Sequence, residues 1–286
     1  MNRPVKFVEA SVDKEAIVPP EIKVPRSRPG RPLRDTRARS AASTIALLAL
    51  GLVLWWAGSA FGWWSELTLP KPGDVFDKLR ELVQTGEFWS DTWRTASEVG
   101  MSFVAGTLSG TAIGIVFWKW QFLGKIFEPY LVSFYAVPVV LFYPVMIVLV
   151  GINVWSVVIL ASIMAMIPMA LNTWVGLSSL PPVYIKLAVS LGATKPQTFF
   201  QIALPGAAPF VVAGLRMAAV YALIGAVAME FVTASAGLGF RIRYLYESFD
   251  SAGMFAYVLV VLIFSMLVTF ILAIVDRMMM SSRDYS

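Results

Sequence analysis

Two charged residues lie inside or at the edge of a long apolar run, which makes them the first candidates for chemistry. Arg216 interrupts the run Gly206–Met229, and Glu230 follows it directly. Charges within a membrane are costly and often mark a solute pathway or a gate. Structural roles stay open as well. Arg216 can extend toward a helix end or the membrane surface, and Glu230 can pair with Arg241 or Arg243.

The residue types present argue against an enzyme. The chain has no Cys and no His, which excludes thiol catalysis, disulfides, His-metal sites and His proton relays within it. Arg216 and Glu230 are 14 residues apart, about 21 Å along a helix, so they cannot touch, although they share a helix face. The sequence also lacks the Gly-x-x-x-x-Gly-Lys-Ser/Thr phosphate loop of an ATPase.

Composition places these residues in a membrane protein. Of 286 residues, 58% are hydrophobic and 14% are charged, whereas soluble proteins average about 25% charged residues. A helix needs about 20 apolar residues to cross a bilayer, and backbone groups in lipid must bond within a helix. We therefore predict an all-α protein with six transmembrane helices. The predicted spans are the charge-free runs Ser40–Ser65 and Val99–Trp118, two spans within the charge-free stretch Pro129–Ile185 separated at Gly151–Asn153, the run Gly206–Met229 with Arg216 as its one charge, and the charge-free run Ser251–Val275.

The charges predict the domain limits and the orientation. Residues 1–42 contain ten of the 23 basic residues and six prolines, which indicates a disordered cytoplasmic tail attracted to anionic lipid rather than to nucleic acid. Residues 43–277 form the membrane domain, and 278–286 form a C-terminal tail. With both termini in the cytoplasm, 17 basic residues lie inside and six outside, as the positive-inside rule requires.

Glycine and proline positions shape the predicted spans. Gly106, Gly110 and Gly114 place small residues on one helix stripe, which allows close packing within one subunit or between subunits. Pro138 and Pro144 predict kinks in the third span. The candidate pathway or gate residues are Pro138, Tyr143, Pro144, Arg216 and Glu230. Outside the membrane, the pattern over Pro72–Gln84 predicts a short amphipathic helix.

The segment from Leu177 to Pro205 is the most informative connection. It is predicted to be cytoplasmic and contains two lysines and no acid, yet it is rich in apolar residues. A short amphipathic helix turned by Gly192 would bury these residues in a groove of another protein. Packing against the membrane face of its own helix bundle is the alternative.

This segment resembles the EAA loop of ABC importer permeases, in which a Gly precedes Ile-x-Leu-Pro. Lys186-Leu187-Ala188 stands where the family has Glu-Ala-Ala, so a base replaces the usual acid. The resemblance extends from Ser43 to Arg277 and is closest to the nitrate, sulfonate and taurine branch. It is carried by Leu69-Pro70-x-Pro72, Gly192, Ile202-x-Leu204-Pro205, Pro209-Phe210, Gly214-Leu215-Arg216, Glu230 and Gly237-Leu238-Gly239.

The resemblance implies a type I ABC importer permease fold in a bacterial inner membrane. It implies a homodimer of permeases, two cytoplasmic ABC ATPase subunits that bind ATP and Mg²⁺, and an external solute-binding protein. This chain itself would have no cofactor. A small anionic solute is the expected cargo, and a secondary transporter or channel is the alternative. The implied coupling residues are Lys186, Leu187, Ala188, Gly192, Ala193, Phe199, Phe200, Ile202, Leu204 and Pro205.

Overall fold

A computed structural model describes the backbone of residues 33–281 and the side chains of 42–133 and 137–274. Most of the predicted N-terminal tail and the last five residues lie outside this range. The described chain is helical and contains no strand. Its α-helices are α1 Leu33–Ala60, α2 Pro72–Leu82, α3 Gly86–Lys119, α4 Gln121–Ala136, α5 Tyr143–Val150, α6 Val154–Ser178, α7 Pro182–Ser190, α8 Lys195–Thr198, α9 Leu204–Thr233, α10 Leu238–Glu247 and α11 Ser251–Ser281.

The chain divides after Val53 into two compact units. The described part of the first unit is the portion of α1 from Leu33 to Val53. Residues 33–42, which were predicted to belong to the disordered tail, are helical and form the start of α1. This stretch follows Pro32 and contains no Pro or Gly, and its Ala and Arg residues are good helix formers.

Five helical stretches of the described chain are long and apolar enough to cross a membrane. They lie in α1, α3, α6, the run containing α9, and α11. The third predicted span is instead broken into α4, a 3-10 helix at Val139–Phe142, and α5. The break follows from Pro138, because the residue before a proline disfavours helical geometry.

The predicted separation at Gly151–Asn153 is confirmed. Gly151 ends α5 with φ +87°, a left-handed conformation that suits glycine. The Asn153 side chain then accepts a hydrogen bond from the Trp155 amide at 2.8 Å and caps α6. The conformation of Gly151 and the Asn153 cap therefore determine the position of this turn.

Helices α3, α6 and α9 form the centre of the second unit. The glycine stripe of α3 packs against α6 of the same chain, which favours the intrasubunit alternative. A Cβ atom at Gly110 would lie 2.5 Å from the Met166 carbonyl oxygen, so the two backbones approach more closely than any side chain would allow.

The predicted amphipathic helix is present as α2. Val75 is fully buried, and Leu79 and Leu82 pack against a core cluster formed by Phe88, Leu238 and Tyr257. α2 therefore covers the end of the bundle at which α9 finishes.

Candidate functional site

The connecting segment, residues 182–203, joins α6 to α9 and contains a sharp turn at Gly192. Gly192 has φ +77°. The Ala193 amide donates to the Ala188 carbonyl, and the Gly192 amide donates to the Val189 carbonyl, both at 3.0 Å. This pair of bonds is the Schellman arrangement that ends a helix with glycine. The predicted turn is confirmed.

A second local signal restarts the helix after this turn. The Thr194 hydroxyl accepts from the Gln197 amide at 3.4 Å, and the Gln197 side chain accepts from the Thr194 amide at 2.8 Å. This reciprocal pair is a capping box. A π-helix at Phe199–Ala203 then leads into α9, which begins at Leu204 with Pro205 in its first turn.

The apolar residues of the connecting segment divide into two groups. Phe199 packs on Trp118, with ring centroids 5.8 Å apart, and Ala188 and Ala203 are buried. In contrast, Leu187, Leu191 and Phe200 are 56%, 78% and 64% exposed. The segment is thus attached to its own bundle along one side and presents apolar side chains along the other. Among the remaining predicted residues, Lys186 is exposed, while Ala193, Ile202 and Leu204 are half-buried and Pro205 is exposed.

The candidate pathway residues of the third span lie at its break. Pro138 precedes the 3-10 helix and lines a cavity of about 230 Å³ with Met164 of α6 and Tyr221 of α9. Tyr143 packs against the main core cluster, whereas Pro144 is exposed and lies in the first turn of α5. Pro138 therefore interrupts the helix, and Pro144 starts the next one.

Arg216 and Glu230 occupy different environments. Arg216 is exposed on the surface of this single chain, whereas Glu230 is fully buried. The predicted pairing of Glu230 with Arg241 or Arg243 is wrong. Glu230 points from α9 toward α3, while Arg243 donates to the carbonyl oxygens of Val232 and Ala234.

Glu230 belongs to a polar cluster formed by Asp91, Arg94, Thr95, Glu98, Glu230 and Arg241. The Thr95 hydroxyl lies 2.7 and 2.9 Å from the two Glu230 carboxyl oxygens. The Gly239 amide donates to Glu230 at 2.8 Å, and the Leu238 amide donates to the Thr95 hydroxyl at 2.9 Å. The cluster therefore ties α3 to the end of α9 and the start of α10.

Charged contacts complete the cluster. Arg241 Nε lies 2.5 Å from an Asp91 oxygen, and its terminal nitrogen lies 2.9 Å from Glu87. Asp91 also accepts from the Gly237 amide at 2.9 Å. Arg94 Nε lies 2.7 Å from Glu98. Asp91 and Glu98 are buried, so their contacts with Arg241 and Arg94 contribute more than surface pairs do, whereas Glu87 is 75% exposed and its contact with Arg241 lies at the surface.

A search for charge-free runs does not select this cluster, but the spacing of its residues along α3 indicates it. Asp91, Thr95 and Glu98 are spaced four and three residues apart, a spacing that puts them on one helix face. The helix that contains the second predicted span therefore starts well before Val99. α3 begins at Gly86, and its residues Asp91 and Glu98 are buried in protein, whereas Glu87 in its first turn is exposed.

The connecting segment and the polar cluster lie at opposite ends of α9. The segment enters α9 at Leu204, and Glu230 lies in its last turn. A helix of 30 residues is about 45 Å long, enough to cross a bilayer. Within the described residues, no group of three acids, His or Cys is placed to hold a metal ion.

Residues 102–281 match the family of binding-protein-dependent transport system inner membrane components. The chain belongs to this family. As a permease of an ABC importer, it is a transport subunit of the bacterial inner membrane. The predicted family resemblance is confirmed.

Named relatives and a solved structure agree with this assignment. The taurine transport system permease protein of Escherichia coli K12 is 28% identical over 211 residues, covering 72% of this permease and 77% of the relative. The formylaminopyrimidine transport permease protein of Halalkalibacterium halodurans is 28% identical, with 73% and 84% covered. The permease fold matches a chain of the inward-facing MetNI methionine ABC transporter with a TM-score of 0.60 and 19% identity, covering 68% and 96% of the two chains.

Proposed function

We propose that this permease forms the translocation pathway of an ATP-driven importer and that its connecting segment docks onto a separate ATPase subunit. The exposed apolar residues Leu187, Leu191 and Phe200 carry this proposal. An amphipathic helix that inserts such residues into a groove is a common docking mode. Membership of the importer family favours this function over a secondary transporter or channel.

The attachment of the connecting segment to the bundle supports a coupling role. Phe199 and Ala203 pack into a cluster with Leu177 of α6 and Ala207 of α9. A partner that moves the exposed side of the segment would therefore displace the start of α9. In this proposal, ATP and Mg²⁺ are bound by two ATPase subunits, which act on two permease copies.

The cargo that we propose is a small anion, delivered by an external solute-binding protein. No acidic residue occurs between Glu128 and Glu230, whereas this stretch contains Lys186, Lys195 and Arg216. Of these cations, Arg216 lies in the central helix α9, and a positive charge there favours an anionic solute over a cation. The relative named for taurine transport fits this class in its sulfonate group, which taurine carries beside an ammonium group.

Purification from native membranes in mild detergent tests the proposed docking. We expect the tagged permease to purify with an ATPase in a complex whose mass fits two copies of each. The double variant Leu187→Asp/Leu191→Asp should lose the ATPase, because carboxylates replace the apolar contact. Leu67→Asp is the matched control, since Leu67 is 65% exposed in a different connection.

Two outcomes would contradict the docking proposal. A stable wild-type permease that purifies without an ATPase would favour the secondary transporter or channel. Retention of the ATPase by the double variant would show that the connecting segment is not its docking surface.

A further inference from the structure

Two carboxyl groups meet inside the polar cluster. Glu98 of α3 and Glu230 of α9 are both 0% exposed. Glu98 follows Thr95 by one helical turn, and the Thr95 hydroxyl contacts both Glu230 oxygens, so the two carboxyl groups are neighbours and interact electrostatically. Two carboxylates in contact repel strongly in a buried environment, so both cannot be ionised at once.

The hydrogen bonds of Glu98 leave one of its oxygens without a donor. Oε1 accepts from Arg94 at 2.7 Å. Oε2 is buried and has no hydrogen-bond partner among the described residues. Buried acceptors have a hydrogen-bond donor in most proteins. We therefore infer that a carboxyl hydrogen, which heavy-atom positions do not show, lies against this oxygen.

The charged side chains around Glu98 and Glu230 balance one negative charge on this pair of carboxyl groups. Arg94 contacts Glu98, whereas Arg241 of α10 is engaged by Asp91 and Glu87. Tyr257 of α11 lies on the Asp91 and Arg241 side of the cluster, and α6 has no charged residue. One cation therefore faces two carboxyl groups.

We propose that Glu98 and Glu230 form a proton-binding site that holds one shared proton at neutral pH. Glu230 carries the proton and donates it to the open Glu98 oxygen, while Glu98 stays ionised beside Arg94. Glu230 still accepts from the Thr95 hydroxyl and the Gly239 amide. The shared proton thereby joins α3 to α9 where α10 begins. This site does not depend on the proposed transport function.

Infrared spectroscopy of the purified permease tests this site directly. At neutral pH, we expect a carboxylic-acid C=O band that shifts in D₂O. The band should be lost in Glu230→Gln, because Glu98 then ionises beside Arg94. It should also be lost in Glu98→Gln, because Arg94 then becomes available to an ionised Glu230. The control Glu81→Gln should keep the band, since Glu81 is exposed.

A wild-type permease without the band would overturn the proposal. Persistence of the band in either single variant would also overturn it, because the proton would then belong to one residue or to another site. If the variants do not fold, the wild-type protein provides the test. The melting temperature should fall as the pH rises from the pKa of a free glutamate to the pH at which the band disappears, since over this range the folded pair holds a proton that unfolded glutamates release. A melting temperature that stays constant over this pH range would show that the proton does not stabilise the contact between the helices.

Discussion

At the residue scale, Thr95 connects three elements of the polar cluster. Its hydroxyl accepts from the Leu238 amide and donates toward Glu230, and the residue is fully buried. Thr95→Val preserves the shape but removes both bonds. Leaving a buried polar group unsatisfied costs about 1–3 kcal/mol. We therefore expect the variant to unfold at a clearly lower temperature in a detergent-based thermal assay.

Thr92→Val is the matched control for this prediction. The Thr92 hydroxyl donates to the Phe88 carbonyl within the same helix at 2.7 Å, and the residue is half-buried. This change should cost less than about 0.5 kcal/mol. Equal stability losses in the two variants would show that Thr95 contributes helix geometry and not the contact between helices.

The residues of the cluster also show a limit of reading the sequence. Glu230 could be selected because it adjoins an apolar run, but charge counting does not select its partners Thr95 and Glu98, although their spacing places them on one helix face. Charge counting assumes that a charged side chain ends a span. That assumption fails when a charged side chain is buried against other helices. Such burial is visible only in the three-dimensional structure.

At the element scale, the close approach of α3 and α6 depends on the absence of side chains at the glycine stripe. Gly110→Ala would place a Cβ atom 2.5 Å from the Met166 carbonyl oxygen and 2.8 Å from the Met169 Cβ. The helices would have to separate, and overpacking of this kind typically costs about 1–3 kcal/mol. We expect a lower melting temperature for this variant.

Gly100→Ala serves as the control on the same helix. A Cβ atom at Gly100 would meet nothing within 4 Å, and alanine favours a helix over glycine by up to about 1 kcal/mol. The control should be neutral or stabilising. A neutral Gly110→Ala variant would mean that α6 can shift without cost.

The turn between α7 and α8 supports a prediction about coupling. Gly192→Asp should leave the permease in the membrane but reduce transport more than tenfold, because it puts a charge beside the exposed apolar residues. Gly62→Asp is the control, since Gly62 also has positive φ and open space around it. Both variants carry similar backbone strain. Normal ATP-dependent uptake by Gly192→Asp in reconstituted vesicles would refute the docking role.

Turns governed by glycine, proline and capping residues could be predicted because their causes are local. The break at Gly151, the turn at Gly192 and helix α2 belong to this group. The division of the connecting segment into attached and exposed sides could not be predicted from the sequence, because Phe199 and Phe200 are adjacent and equally apolar. Tertiary packing on Trp118 separates them.

At the scale of the whole molecule, the two functional regions lie at opposite ends of α9, so the proposed mechanism depends on orientation. An ATPase can dock only if the connecting segment faces the cytoplasm. The distribution of basic residues predicts this orientation. The chain contains no Cys, so single cysteines can be introduced without a background of native thiols.

Cysteine labelling in intact cells would test the orientation of the whole permease. Ser190 lies at the end of α7 and Ser248 follows α10, and both are exposed. A membrane-impermeant maleimide should label Ser248→Cys in intact cells but should label Ser190→Cys only after permeabilisation. Labelling of both after permeabilisation controls for reactivity. The reverse pattern would place the connecting segment outside the cell, where no cytoplasmic ATPase could reach Leu187 or Leu191, and the proposed coupling would fail.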